Sequence, residues 1–181
     1  VFTDVDEMLS HSTRMGWKEA RRVISSVCAA LNYAHSKKII HRDIKPSNVI
    51  VSSDGHVKVM DFGIAREAKD TFSRLTGKDT SGTLSYMSPE QHLGDFVPAS
   101  DIYSVGIMLY EMLTGELPFK GPDFLAQKER MVYKPLAETV GDVPSGVDNL
   151  MRICLQPDKA KRYGSAPISN KRGRAPAASF V

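Results

Sequence analysis

The 181-residue chain holds 41% hydrophobic and 25% charged residues with 13 glycines and 10 prolines, a balance that excludes general disorder and fibrous repeats and allows one domain of ordinary size. Its formal charge of +3 is unevenly spread: residues 159–181 carry Lys159, Lys161, Arg162, Lys171, Arg172 and Arg174 and no acid, while the body is slightly acidic. The longest apolar stretch, 102–113, is broken by Ser104 and Glu111 and falls far short of the ~20 residues a membrane-spanning helix needs.

Residues 1–7 are acidic where a secretory or mitochondrial leader is basic, and no methionine opens the chain, which reads as cut from a longer protein. From 17 to 35, Trp17, Ala20, Ile24, Val27, Leu31 and Ala34 fall at helical spacing and predict an amphipathic helix. Residues 41–47 are polar and contain Pro46, so they form an ordered loop. The β-branched runs 49–51 and 56–60, joined by Ser52-Ser53-Asp54-Gly55, predict a hairpin at the exit of that loop. Residues 64–98 lack periodicity and read as a long functional loop. Ser100 can cap a helix running to Gly115 that is apolar on more than one face and so belongs in the core. Two shorter helices follow at 123–131 and 147–155, and from Gly164 onward the composition predicts a disordered end. Cys28 and Cys154 lie inside helical patterns without a CxxC pairing, which fits inert core thiols in a reducing compartment and no thiolate metal site.

The chemistry is concentrated in His41-Arg42-Asp43-Ile44-Lys45-Pro46-Ser47-Asn48, followed after the hairpin by Asp61-Phe62-Gly63. Phosphoryl transfer needs a carboxylate to orient the attacking hydroxyl, a cation for the transferred phosphate and oxygen ligands for magnesium. Asp43 can accept the hydroxyl proton, Lys45 can reach the γ-phosphate, and Asn48 with Asp61 can share Mg²⁺ if the hairpin brings the strand ends together.

These strings resemble the serine/threonine protein kinases of the eukaryotic-like, Hanks type, with a bacterial flavour in Tyr86-Met87-Ser88-Pro89-Glu90-Gln91 and Asp101-Ile102-Tyr103-Ser104. Gly82-Thr83-Leu84-Ser85-Tyr86-Met87-Ser88-Pro89-Glu90 resembles the substrate-docking loop with its closing Ala-Pro-Glu, Ser88 standing for the alanine. Asp101-Ile102-Tyr103-Ser104-Val105-Gly106 resembles the start of the buried helix, and Gly115-Glu116-Leu117-Pro118-Phe119 its exit. The resemblance implies Asp43 as catalytic base, Lys45 as phosphate contact, Asn48 and Asp61 as Mg²⁺ ligands, and Ile50 and Met60 as the floor of the ATP adenine pocket. By the same resemblance Thr83 ties Asp43 and Lys45 to the peptide site. Arg42 pairs with a phosphorylated loop at Thr76, Thr80 or Ser81, and His41 packs beside Phe62. Glu90 and Arg162 form a buried ion pair, and Asp101 supports the catalytic-loop backbone.

The implied fold is α+β, mostly α: a protein-kinase-like C-lobe spanning residues 17–163, with a small β-hairpin at the catalytic loop and the N-lobe absent, because no Gly-rich strand or Val-Ala-Ile-Lys precedes Trp17. Residues 1–163 are then the catalytic-domain portion, weak or inactive by itself, and 164–181 a basic low-complexity tail. The implied substrates are ATP and a protein serine or threonine in the cytoplasm, with the parent protein open to membrane tethering and no nucleic-acid partner expected. The rivals are a small-molecule kinase of the aminoglycoside or choline type, which shares the Asp-to-Asn spacing but usually lacks the lysine two residues on, and a non-catalytic kinase-like module that binds through residues 82–90.

Overall fold

The computed structural model describes residues 1–62 and 81–164. In chain order these form β1 (Phe2–Asp4), α1 (Val5–Ser12), α2 (Trp17–Ser36), a 3-10 turn (Pro46–Asn48), β2 (Val49–Ser52) and β3 (Val57–Val59). Then come α3 (Ser81–Leu84), α4 (Pro89–His92), α5 (Pro98–Thr114), α6 (Phe124–Glu129), α7 (Leu136–Thr139), α8 (Val147–Cys154) and a second 3-10 turn (Lys159–Lys161).

The core is organised around α5. Pro98 occupies the first helical turn, where its missing N–H costs nothing, and Gly115 ends the helix in the left-handed conformation at φ 76°, its N–H donating to the Glu111 carbonyl at 2.7 Å. A side chain at Gly115 would collide with the Thr13 carbonyl, because the turn after α1 lies directly against it. Between these ends α5 is buried on every face, from Ser100 through Tyr110 and again at Met112 and Leu113. α2 lays its apolar stripe, Ala20, Val23, Ile24, Val27, Leu31 and Ala34, against α5. Each fully buried Leu or Ile of this interface contributes about 1.5–3 kcal/mol. α8 approaches on another side, so closely that a Cβ on Gly106 would sit 2.9 Å from the Cys154 Cβ.

The sheet corrects the expected fold class. In place of a two-stranded hairpin there are three antiparallel strands in the order β1-β2-β3, with Phe2 opposite Ser52, Asp4 opposite Ile50, Val49 opposite Val59 and Val51 opposite Val57. β1 is only three residues long and shows no period of its own. It forms because β2 offers it an unpaired edge and because Asp4 leaves the strand as the N-cap of α1, accepting the Glu7 N–H at 2.7 Å. The turn between β2 and β3 is closed by the Gly55 N–H donating to the Ser52 carbonyl at 2.8 Å, with Gly55 at φ 87°.

Most other expected elements are present with shifted ends: α2 extends to Ser36, α5 starts at Pro98 instead of capping at Ser100, and the two later helices are Phe124–Glu129 and Val147–Cys154. The stretch read as loop to residue 98 contains α3 and α4, each four residues and too short for an amphipathic period to register. α7 has no counterpart in the sequence pattern either; its first two N–H groups, Leu136 and Ala137, donate to the Asp148 carboxylate at 2.6 and 3.1 Å, a tertiary cap invisible locally. Among the described residues no helix is long and apolar enough to cross a membrane.

Candidate active site

The loop 41–48 takes its shape from one side chain of the core helix. The Asp101 carboxylate, 1% exposed, accepts the His41 N–H at 2.9 Å and the Arg42 N–H at 2.8 Å, and His35 Nε2 lies 2.7 Å from the same group. Arg42 sits at φ 71°, a conformation non-glycine residues avoid, and the two bonds to Asp101 together with the Gln91 amide donating to the Arg42 carbonyl at 3.1 Å hold it there.

His41 is fully buried and links this loop to the end of β3. Its Nε2 is 2.8 Å from the Met60 carbonyl, which can only accept, and its Nδ1 is 3.3 Å from the Asp43 N–H, which can only donate. The two contacts fix the neutral ring with its proton on Nε2. Burial lowers the pKa of the imidazole, against the raising effects of the Met60 hydrogen bond and the carboxylates of Asp101, Asp43 and Asp61. The ring also packs on Phe62 at 4.7 Å between centroids.

Around this ring the expected site residues gather. The Asn48 amide donates to the Asp43 carbonyl at 2.7 Å and to its carboxylate at 3.3 Å, so the amide nitrogen is committed to Asp43 and neither bond uses the side-chain oxygen. The Lys45 ammonium stands 3.3 Å from the Asp43 carboxylate and donates to the Thr83 hydroxyl at 3.3 Å. The Met60 N–H donates to the Asn48 carbonyl at 2.8 Å, which brings Asp61, at φ 55°, alongside the loop. Ile50 lies half-buried on β2 and Met60 is 37% exposed just beyond β3. Gly63, Thr76 and Thr80 and the tail 165–181 lie outside the described residues, as does the side chain of Ser81.

Residues 82–90 run beside this cluster and are held from several elements. The Ser104 hydroxyl donates to the Tyr86 carbonyl at 2.8 Å and the Tyr86 hydroxyl donates to Glu111 at 2.5 Å. Burial raises the Glu111 carboxyl above its ordinary value despite that bond. Glu90 receives a two-pronged contact from Arg162, Nη1 to Oε1 at 2.6 Å and Nη2 to Oε2 at 2.8 Å, plus the Ser100 hydroxyl at 2.8 Å. Burial would raise the Glu90 carboxyl, but the hydrogen bonds from Arg162 and Ser100 and the Arg162 charge hold it below the ordinary value. Sequence reading missed Gln91, Glu111 and Lys128 in this region. Gln91 stood in the Tyr86–Gln91 string without a role of its own, Lys128 had no motif to mark it, and Glu111 looked like an interruption of an apolar helix.

The family model of the protein kinase domain matches residues 2–172. The chain belongs to the protein kinase family. It is 42% identical over 154 residues to the probable serine/threonine-protein kinase PknB of Bifidobacterium longum, covering 82% of this chain and 22% of that protein. It is 40% identical over 175 residues to serine/threonine-protein kinase PknB of Mycolicibacterium smegmatis, covering 91% of this chain and 28% of the relative. It is 35% identical over 162 residues to serine/threonine-protein kinase PknA of Mycobacterium tuberculosis, covering 89% and 37%. The chain thus spans a minor part of the length of these relatives. The match begins at residue 2 and takes in β1 and α1, so the reading of a C-lobe confined to residues 17–163 with the N-lobe absent is corrected.

Proposed function

We propose that the chain is part of a catalytic domain that transfers the γ-phosphate of ATP to a serine or threonine hydroxyl of a protein substrate. The reading is carried by the Lys45 ammonium standing 3.3 Å from both the Asp43 carboxylate and the Thr83 hydroxyl. Asp43 receives the proton of the substrate hydroxyl as its oxygen bonds to the γ-phosphorus and the bond to the β-phosphate oxygen breaks, releasing ADP. Lys45 neutralises charge on the transferred group and, through Thr83, sets the acceptor segment against Asp43. Ile50 and Met60 offer apolar surface to the adenine. The side-chain oxygen of Asn48, which neither bond to Asp43 uses, and the Asp61 carboxylate are hard oxygen donors of the kind magnesium takes, which fits them to hold the ion. When bound, Mg²⁺ supplies neutralisation of the phosphate oxygens. Arg42, 5.3 Å from the Phe96 ring, is the cation that would pair with a phosphate on Thr76, Thr80 or Ser81, as the family resemblance implies. The free thiols Cys28 and Cys154 fit a reducing compartment such as the cytoplasm, with the parent protein open to membrane tethering.

The test uses the full-length protein that carries this chain, radiolabelled ATP, Mg²⁺ and a peptide library holding serine, threonine and tyrosine acceptors. Label on serine or threonine is expected, and Asp43→Asn lowers the turnover by about 10²–10⁴. Undiminished transfer by the Asp43→Asn protein would overturn the reading.

A further inference from the structure

Lys128 on α6 has no exposed surface, although an ammonium is among the costliest groups to remove from water. Its Nζ donates to the Leu84 carbonyl at 2.7 Å and the Met87 carbonyl at 2.8 Å, lies 3.4 Å from His92 Nε2, and stands 5.3 Å from the centre of the Phe124 ring. Leu84 follows Thr83, whose hydroxyl accepts from Lys45, and Met87 precedes Ser88, whose N–H donates to the Gln91 side chain at 2.9 Å. Between those two fixed points Ser104 holds the Tyr86 carbonyl and Lys128 holds the carbonyls on either side of it. A hydrocarbon of the same length would fill the space at lower desolvation cost, but it would leave both carbonyls without a donor. What the ammonium adds over such a side chain is a fixed main-chain shape for residues 84–87.

We propose that Lys128 is a positioning residue for the protein substrate, its ammonium setting the main chain of residues 84–87 against which the peptide around the acceptor hydroxyl is laid. This rests on the kinase reading above. Because Lys128 contacts the 84–87 segment and none of the residues offered to ATP, its loss acts on peptide binding and spares nucleotide binding.

The experiment compares wild type, Lys128→Met, Lys128→Gln and Asp43→Asn in the full-length protein, with peptide and ATP varied separately and amide hydrogen exchange followed alongside. Lys128→Met is expected to raise the peptide KM by about tenfold, the weight of a charge-assisted pair of hydrogen bonds, while the ATP KM stays within about twofold. Lys128→Gln, which keeps an amide donor, recovers part of the loss. Exchange accelerates at residues 84–88 in Lys128→Met while α5 keeps its protection. The proposal is overturned if both KM values rise together, if neither moves, or if protection falls equally over α5, which would make Lys128 an ordinary core residue. Persistent transfer by Asp43→Asn would instead sink the kinase reading, and the exchange data would still decide whether Lys128 holds the segment.

Discussion

Arg42 shows how the backbone of a single residue can be held in a costly conformation by groups far away in sequence. A non-glycine residue at φ 71° loses on the order of 1 kcal/mol, which the buried Asp101 carboxylate offsets by accepting both the His41 and Arg42 N–H groups. Asp101→Ala leaves those donors unmatched inside the molecule and is expected to cost roughly 2–5 kcal/mol, read as a drop in the denaturant midpoint. Asp101→Asn keeps one acceptor oxygen and should lose less; equal losses would show that the carboxylate's bonds are not what matters. The loop itself stood out in the sequence because the types and spacing of Asp43, Lys45 and Asn48 are those that phosphoryl transfer calls for. Lys128 did not: a lysine in a polar helical segment looks solvated until the fold closes a lid of main chain over it. Burial then lowers its pKa to about 7.

At the scale of elements, α5 was readable because its apolar positions cover every face, a pattern that only a surrounded helix tolerates. What the pattern could not show is how near its neighbours come. Gly106 has φ in the ordinary helical range, so an alanine there would be favoured by backbone propensity alone. Its Cβ, however, would meet the Cys154 Cβ at 2.9 Å and the Leu155 side chain at 3.1 Å. Gly106→Ala is therefore expected to destabilise by about 1–3 kcal/mol through overpacking, the reverse of the helix-propensity effect, and thermal unfolding gives the sign directly. β1, α1, α3, α4 and α7 escaped sequence reading. β1, α3, α4 and α7 are each three or four residues long; β1 and α7 are held from outside the local pattern, by the edge of β2 and the Asp148 carboxylate, while α4 carries a local signal, the Ser88 and Gln91 capping box, that was not read.

Across the whole molecule, Arg162 joins the far end of the described chain to the segment beside the active-site loop. Its guanidinium, wholly buried, also donates to the carbonyls of Gln156, Pro157 and Ala99 and stacks 4.8 Å over Tyr103. Arg162→Met strands the Glu90 carboxylate and is expected to cost about 3–5 kcal/mol, whereas Arg162→Met with Glu90→Gln should recover much of it. Because Glu90 titrates below its ordinary value when folded, its contribution is complete above the ordinary glutamate range and disappears as pH falls through the lowered value. Acid unfolding curves of wild type and Arg162→Met should then converge at low pH; parallel curves would argue against the pair. The sequence named both partners through family resemblance, but their many main-chain contacts follow from packing alone.

His41 carries a last implication. With one nitrogen giving its hydrogen to Met60 and the other receiving from Asp43, the ring is a two-ended peg that fits its socket in a single charge state. A second proton would turn the receiving end into a repelling one and cut the backbone of Asp43 loose from β3, so this imidazole works as a spacer whose usefulness depends on never buffering.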